Sequence, residues 1–364
     1  MVRVLSGIAA ALLANSVAYA QYNDYNAKTY DRRFGKRSNA APVMDGQNFP
    51  DPAIIRMSDG WHAFATNTKI DGARVHVPMA NSPDFKRWTY RLGVDAMPKL
   101  ASWIDKESPR VWAPDVVRLD DGTFVMYYTA GLAKETRLHC VSYATSKRVD
   151  GPYVDNLDDP WICPTAIGGA IDPAGYMDSD GTRWVVYKVD GNAIGHGGAC
   201  NNMVPPMVST PIMLQRVSAR DGHTKIGAAI RLITNGPADG PVVEAPAIAK
   251  LGGNNCFNTE KYDVSYAIAT NLEGPYTKYG PLFVTGNHGM HAPGGLDIAI
   301  DGDHAIWHAY VKNQTGLHDC IAKHHKHGRA HRADDCSRNA KGGRAAFTAL
   351  LSLNGNVVTA KAIS

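Results

Sequence analysis

The sequence predicts an all-β chain closing as a five-bladed β-propeller whose fourth blade is truncated. Three observations carry that expectation. Short apolar runs separated by Asp-Gly recur along the chain, each a hairpin signal. A proline element with a carboxylate beside it recurs near residues 51, 115, 172 and 244, with a related element at 291, in steps of about 64, 57, 72 and 47 residues. Past the first twenty residues no apolar run has a convincing helical period.

The first hairpin is Ala53–Met57, the turn Ser58-Asp59-Gly60 and Trp61–Ala65. Val116–Leu119 and Phe124–Tyr128 flank Asp120-Asp121-Gly122 in the same way. Arg183–Tyr187 follows Asp180-Gly181, and Leu296–Ile300 precedes Asp301-Gly302 and Ala305–Ala309. Third strands are expected at 75–80, 140–144 and 262–267, with equivalent turns at Gly151-Pro152-Tyr153 and Gly274-Pro275-Tyr276. About four antiparallel strands per repeat, closed radially, leave few exposed edges. The fourth repeat departs from this pattern. Only eleven residues separate Glu244 from Cys256, with no Asp-Gly turn and no aromatic second strand, so this blade lacks most of a strand.

The proline elements carry the chemistry. Phe49-Pro50-Asp51-Pro52, Ala170-Ile171-Asp172-Pro173 and Val242-Val243-Glu244-Ala245-Pro246 each set an acid directly before Pro or one residue away. Pro fixes its own φ and pushes its predecessor towards extended backbone, so each acid is expected at the mouth of a strand. Three acids from different repeats, gathered at one end of a β scaffold, suit acid–base chemistry on a sugar bond. An inverting glycosidase needs one ionised carboxylate to activate water and one protonated carboxyl to protonate the leaving oxygen, roughly 6.5–9.5 Å apart. A third carboxylate nearby keeps the acid protonated by like-charge repulsion. Trp112, Asp115 and His291, in Trp112-Ala113-Pro114-Asp115 and His291-Ala292-Pro293, are the substrate-binding candidates. His288 lies close to the last of them.

Arg3, the apolar run Val4–Val17 and Ala18-Tyr19-Ala20 read as a signal peptide over residues 1–20. Residues 21–37 end in Lys36-Arg37 and read as a propeptide, leaving 38–364 as one catalytic domain in a secreted chain. No other apolar stretch is long enough for a membrane helix. Residues 1–37 carry six basic and two acidic side chains, which accounts for the whole formal charge of +4. Residues 318–344 are also basic, with seven basic and three acidic side chains, so the remaining body is acidic. That balance excludes a nucleic-acid footprint and suits a neutral polysaccharide bound by a monomer. The run Lys323–His327 reads as a solvated insertion and not a metal site, because its flanking cations repel a metal. Six cysteines outside the cell imply disulfides, and nearest-neighbour pairing gives Cys140–Cys163, Cys200–Cys256 and Cys320–Cys336. Asn313-Gln314-Thr315 is a glycosylation sequon.

Taken together, Asp51-Pro52, Trp112-Ala113-Pro114-Asp115, Ile171-Asp172-Pro173 and Glu244-Ala245-Pro246 at these intervals resemble glycoside hydrolase family 43 over residues 45–360. The block Tyr187–Asn192 is similar to secreted fungal members. The resemblance implies an inverting hydrolase with Asp51 as general base, Glu244 as general acid and Asp172 as the residue that positions and tunes the acid. It implies α-L-arabinofuranosyl or β-D-xylosyl linkages of plant cell-wall polysaccharides as substrates, cleaved in exo or debranching mode. The alternatives are an endo-1,5-α-L-arabinanase, or a non-hydrolytic carbohydrate-binding propeller arising from the short blade. No cofactor is required. A structural calcium on the propeller axis, beside His291, is the further expectation from the resemblance.

Overall fold

The Asp-Gly hairpins form where the sequence places them. The computed structural model describes residues 10–13, 41–44, 47–70, 72–237, 239–249, 263–311 and 343–363, and among these no α-helix occurs. Strand β1 (Ala10–Leu13) is followed by β2 (Ala53–Met57) and β3 (Gly60–Phe64), the ribbon β4 (Thr68–Ile70) with β5 (Ala73–Val75), then β6 (Met79–Ser82) and β7 (Thr89–Tyr90). Sheet one has the order β2-β3-β6-β7. The expected third strand at 75–80 is divided between β5 and β6, because the Asp95 carboxylate captures the N–H groups of His76 and Val77 and keeps both off the ladder.

Sheet two comprises β8 (Trp112–Arg118), β9 (Phe124–Gly131) and β10 (His139–Ser146), with a bridge from Thr145 to Val154 on its outer side. Sheet three runs β11 (Ala170–Met177), β12 (Arg183–Val189), β13 (Ile212–Val217) and β14 (Lys225–Ile233). After β15 (Ala247–Ala249) come β16 (Asp263–Ala269) and β17 (Thr277–Val284), and the last sheet is β18 (Met290–Ile298), β19 (His304–Val311), β20 (Ala345–Asn354) and β21 (Val357–Ala362). The first strands of these five sheets neighbour one another in a ring: β2 by β8, β8 by β11, β11 by β15, β15 by β18, and β18 by β2. The fold is an all-β propeller.

Sheet four has the order β15-β1-β16-β17. The place of its second strand is taken by Ala10–Leu13, paired antiparallel to β15 on one side and β16 on the other. This segment belongs to the stretch read as a signal peptide. Residues 250–262, which follow β15 in the chain, lie outside the described residues.

Apolar clusters seal each seam of the ring. Phe64, Met126 and Tyr128 pack between sheets one and two; Val125, Tyr127 and Val185 between two and three; Trp184, Val243 and Ile248 between three and four. Phe283, Trp307 and Phe347 pack where sheet four meets the last sheet, and Ile54, Trp61 and Ile306 close the ring. Each such fully buried large side chain contributes about 1.5–3 kcal/mol. The turns at Gly151 and Gly274 are equivalent, as expected: in each a tyrosine hydroxyl, of Tyr153 or Tyr276, bonds the carbonyl four residues earlier at 2.8 Å. Gly151 has φ of +81°, and a Cβ there would lie 2.4 Å from the Ala96 carbonyl oxygen.

Cys140–Cys163 forms a disulfide, and Cys200 is also disulfide-bonded. Cys256, Cys320, Cys336, Lys36-Arg37, Asn313 and the histidine run at 323–327 lie outside the described residues.

Candidate active site

The proline elements meet on the axis, where a narrow channel is lined by Asp51-Pro52, Ala113-Pro114-Asp115, Asp172-Pro173, Ala245-Pro246 and Gly295 to Asp297. The acids sit at strand mouths, but the backbone before each proline is not extended. Asp51, Ala113, Asp172, Ala245 and Ala292 have φ of 48°, 40°, 54°, 46° and 48°, in the left-handed region. Non-glycine residues there carry strain of order 1–3 kcal/mol. The cause is visible in the hydrogen bonding. Each of the five N–H groups turns inward to a side-chain acceptor: His308 Nδ1, Thr66 Oγ1, Thr129 Oγ1, Asp172 Oδ2 and Thr285 Oγ1, in that order. The ladder shifts register at three of these places, after Trp112, Ile171 and His291, so those elements are bulges that aim side chains at the channel.

Asp51 is held from three directions. Thr66 Oγ1 donates to its Oδ2 at 2.6 Å, and Arg344 Nη1 donates to its Oδ1 at 2.9 Å. His308 Nδ1 accepts its backbone N–H at 3.0 Å, and His308 Nε2 lies 3.4 Å from Arg344 Nη1. Burial alone would raise the Asp51 carboxyl, yet the Arg344 guanidinium and the Thr66 hydroxyl hold it below 3.8. Burial and the same guanidinium push His308 down to about 3, so the imidazole is neutral. Arg344 is itself pinned, its N–H to Asn48 Oδ1 and its carbonyl to the Phe49 N–H, both at 2.9 Å. A Cβ at Gly295 (φ +55°) would lie 2.6 Å from His308 Nδ1, so glycine is what lets the ring approach the base.

Glu244 and Asp172 form the opposite side. Asp172 Oδ2 accepts the Ala245 N–H at 3.0 Å, tying the mouth of β11 to the residue after Glu244. Burial first, then the Glu244 charge, raises Asp172 well above its ordinary value. Burial also raises Glu244, against the pull of Lys188, whose Nζ lies 2.7 Å from Glu244 Oε2 and 2.9 Å from Asp190 Oδ1. The site therefore holds one carboxyl pushed towards its ionised form and two neighbouring carboxyls pushed towards their protonated forms.

The remaining predicted residues are placed as follows. Trp112, half-buried, stacks on His139 with ring centroids 4.2 Å apart. Burial pushes His139 down to about 4, and neither of its ring nitrogens has a hydrogen-bond partner among the described residues. Trp112, Glu244 and His291 occupy equivalent positions, one residue before the strained alanine of their elements. His291 is half-buried opposite Tyr310. Asp115 is two residues further in, buried, with Oδ2 accepting the Gly175 N–H at 2.6 Å. Asp297 does the same for the Ile54 N–H at 2.7 Å, so both carboxyls tie first strands of neighbouring sheets. Around His291 no three His, Cys, Asp or Glu side chains converge among the described residues; the group that does, Asp301, Asp303 and His304, includes two exposed acids on the turn after β18. Sequence reasoning missed Arg344, His308, Lys188 and Thr66 as site residues. Of these, Lys188 lay in the block Tyr187–Asn192 and His308 in the strand Ala305–Ala309, neither of them read as a site residue.

Over 325 residues the chain is 22% identical to a beta-D-galactofuranosidase of Aspergillus niger, covering 84% of each chain. It is 26% identical over 166 residues to an extracellular endo-alpha-(1->5)-L-arabinanase of Thermotoga petrophila, 38% of this chain and 33% of that one. The match thus spans about a third of the length of that arabinanase. Among solved structures, a thermostable family-43 glycoside hydrolase superposes with a TM-score of 0.61 at 18% identity, over 90% of this chain and 97% of that one. The GH43 endo-arabinanase of Bacillus licheniformis gives 0.57 at 18% identity, over 88% and 100%. The profile of Glycosyl hydrolases family 43 matches residues 40–342, and the chain belongs to that family of glycoside hydrolases.

Proposed function

We propose that this protein is a secreted, monomeric, inverting glycosidase on a five-bladed propeller, cleaving α-L-arabinofuranosyl or β-D-xylosyl linkages of plant cell-wall polysaccharide. The observation that carries the reading is the unlike setting of two carboxyls: Asp51 paired with Arg344 at 2.9 Å, and Glu244 set beside Asp172, whose Oδ2 accepts the Ala245 N–H. Asp51 is held ionised beside Arg344, while Glu244, half-buried next to Asp172, is pushed towards its protonated form by its surroundings. Asp51 takes a proton from water, which attacks the anomeric carbon, and Glu244 gives its proton to the leaving oxygen on the opposite face. Asp172 holds the backbone beside the acid through the Ala245 N–H and opposes loss of the acid's proton. Trp112 and His291, at the positions equivalent to Glu244, supply sugar contacts at the rim, and Asp115 supports the channel floor. No step is routed through a cation.

An endo-acting arabinanase is the second reading, favoured by the matched arabinanase relatives. The galactofuranosidase match along most of both chains favours attack at terminal furanosyl units. Hydrolysis of aryl α-L-arabinofuranoside, aryl β-D-xyloside, aryl β-D-galactofuranoside and linear arabinan by purified protein separates them. Release of monosaccharide with inverted anomeric configuration by NMR is expected. Retained configuration refutes the mechanism, and binding without turnover on all four refutes the enzyme reading.

A further inference from the structure

Lys188 is the least expected group in the site. Its side chain is fully enclosed, with 0% exposure, on a strand that otherwise presents apolar packing. A buried ammonium persists only where anions and hydrogen bonds replace its water. Here those partners are Glu244 Oε2 at 2.7 Å and Asp190 Oδ1 at 2.9 Å.

The repeat explains why a lysine fits. Thr129 and Lys188 stand opposite Trp112 and Ile171 in their hairpins, and Thr66 bonds the Pro50 carbonyl in the same way. Thr66 and Thr129 each cap the strained N–H of the next sheet, at Ala113 and Asp172. By that pattern position 188 would cap the Ala245 N–H. That N–H goes to Asp172 instead, which releases position 188 from capping and lets a long cation reach past the backbone to the carboxyl of Glu244.

We propose that Lys188, braced by Asp190, is a positioning residue for Glu244: it fixes one oxygen of the acid, leaves the other to carry the transferable proton, and sets the pH range over which the acid holds it. This rests on Glu244 being the general acid. The charged groups facing Glu244 are Lys188 and Asp190 from β12 and its end, Asp172 from β11, and Asp51 with its partners Arg344 and His308. His139 Nδ1 stands 3.9 Å behind Asp190 Oδ2. Two carboxylates share one cation, so their dependence on it is opposed. Removing Lys188 strips Glu244 of its counter-charge. Removing the charge of Asp190 concentrates the cation on Glu244.

The test compares wild type, Lys188→Met, Lys188→Arg and Asp190→Asn by two readouts. One is the pH dependence of kcat/KM on an aryl glycoside; the other, independent of turnover, is carbon-13 NMR titration of the Glu244 carboxyl, assigned with Glu244→Gln. Lys188→Met should move the Glu244 titration and the basic limb of the rate profile up by about 1–3 pH units. Asp190→Asn should move both down, and Lys188→Arg should stay near wild type. A merely structural lysine would lower activity in both variants with no opposed shifts. Shifts in the same direction, or none, overturn the proposal. If Lys188→Met does not fold, Asp190→Asn decides alone, since an unmoved or raised titration refutes it. If wild type turns over no glycoside, the functional reading fails while the NMR titration still judges the coupling.

Discussion

Removing the guanidinium of Arg344 should disable the base in acid and leave it nearly intact at neutral pH. Arg344 Nη1 lies 2.9 Å from Asp51 Oδ1, with side-chain exposures of 14% and 20%. A cation this close lowers a carboxyl by about 1–3 pH units, or roughly 1.4–4 kcal/mol between its two protonation states. In wild type the Asp51 carboxyl sits below 3.8, so the acidic limb of kcat/KM should fall below pH 4. In Arg344→Met, burial is opposed chiefly by the Thr66 hydroxyl, and the limb should rise by about 1–3 pH units. Between the two limbs the variant should therefore lose progressively more rate, beyond any loss seen at pH 7, as the pH falls. Arg344→Lys keeps a charge without the planar fork and should fall between the two.

The same pair has a signature in stability. Asp51 is depressed in the folded state, so its stabilisation is present above the unfolded value and lost as pH falls through the folded one. Arg344→Met should therefore melt lower than wild type at pH 7, with the difference narrowing towards pH 3. Protonation of His308 in the variant would add positive charge beside Asp51 and move the limb the other way. An acidic limb that stays put or moves down in Arg344→Met, with the fold intact, refutes the assignment of Arg344 as the group that keeps the base ionised.

Three further outcomes are expected. Asp51→Asn and Glu244→Gln should each lose most turnover of polysaccharide, but with a good aryl leaving group Glu244→Gln should be the milder, as initial rates on both substrates would show. Thr66→Val removes the 2.6 Å bond to Asp51 and the acceptor of the Ala113 N–H, and should cost about 1–3 kcal/mol in denaturant unfolding. Asp263, buried on β16 and raised from 3.8 to about 8, favours the fold fully only below its unfolded value and loses that contribution as pH rises to about 8; Asp263→Asn should therefore raise Tm relative to wild type at pH 9 more than at pH 5.

How much of the site was legible depends on where each group stands in its hairpin. Asp51, Asp172 and Glu244 lie in proline elements, whose local chemistry is readable in a single line of sequence. Their partners come from elsewhere: Thr66 after β3, Lys188 on β12, His308 on β19 and Arg344 just before β20. In those stretches the alternation of apolar residues dominates, and one inward polar position looks like any other. Arg344 was further hidden by the basic run that ends there, whose charge suggested solvent. Asp115 was legible as a substrate-binding candidate but not as a buried acid three residues past the position equivalent to Glu244. The conformation before proline was misjudged for a physical reason. Steric preference favours extended backbone, but an inward acceptor for each N–H makes the left-handed bulge the better solution at all five places.

The same hydrogen bonds bear on the irregular fourth repeat. In sheets one, two and the last, groups on or just after the second strand cap the strained element of the next sheet: Thr66 for Ala113, Thr129 for Asp172, His308 for Asp51. A defect in the second strand of sheet four would therefore be felt at Ala292, in the following element, and not at Glu244. There the cap is supplied by Thr285, which follows β17. Glu244 stands at the entry of β15 and takes its supports from sheet three: Lys188 on its carboxyl, Asp172 on the next N–H, and Thr210 on the N–H of Val243 before it. Filling of the gap by Ala10–Leu13 completes the ladder between β15 and β16 without entering this set. The short repeat and the acid thus lie on opposite sides of β15, so loss of the inserted strand should lower the melting temperature of the fold before it alters the titration of Glu244.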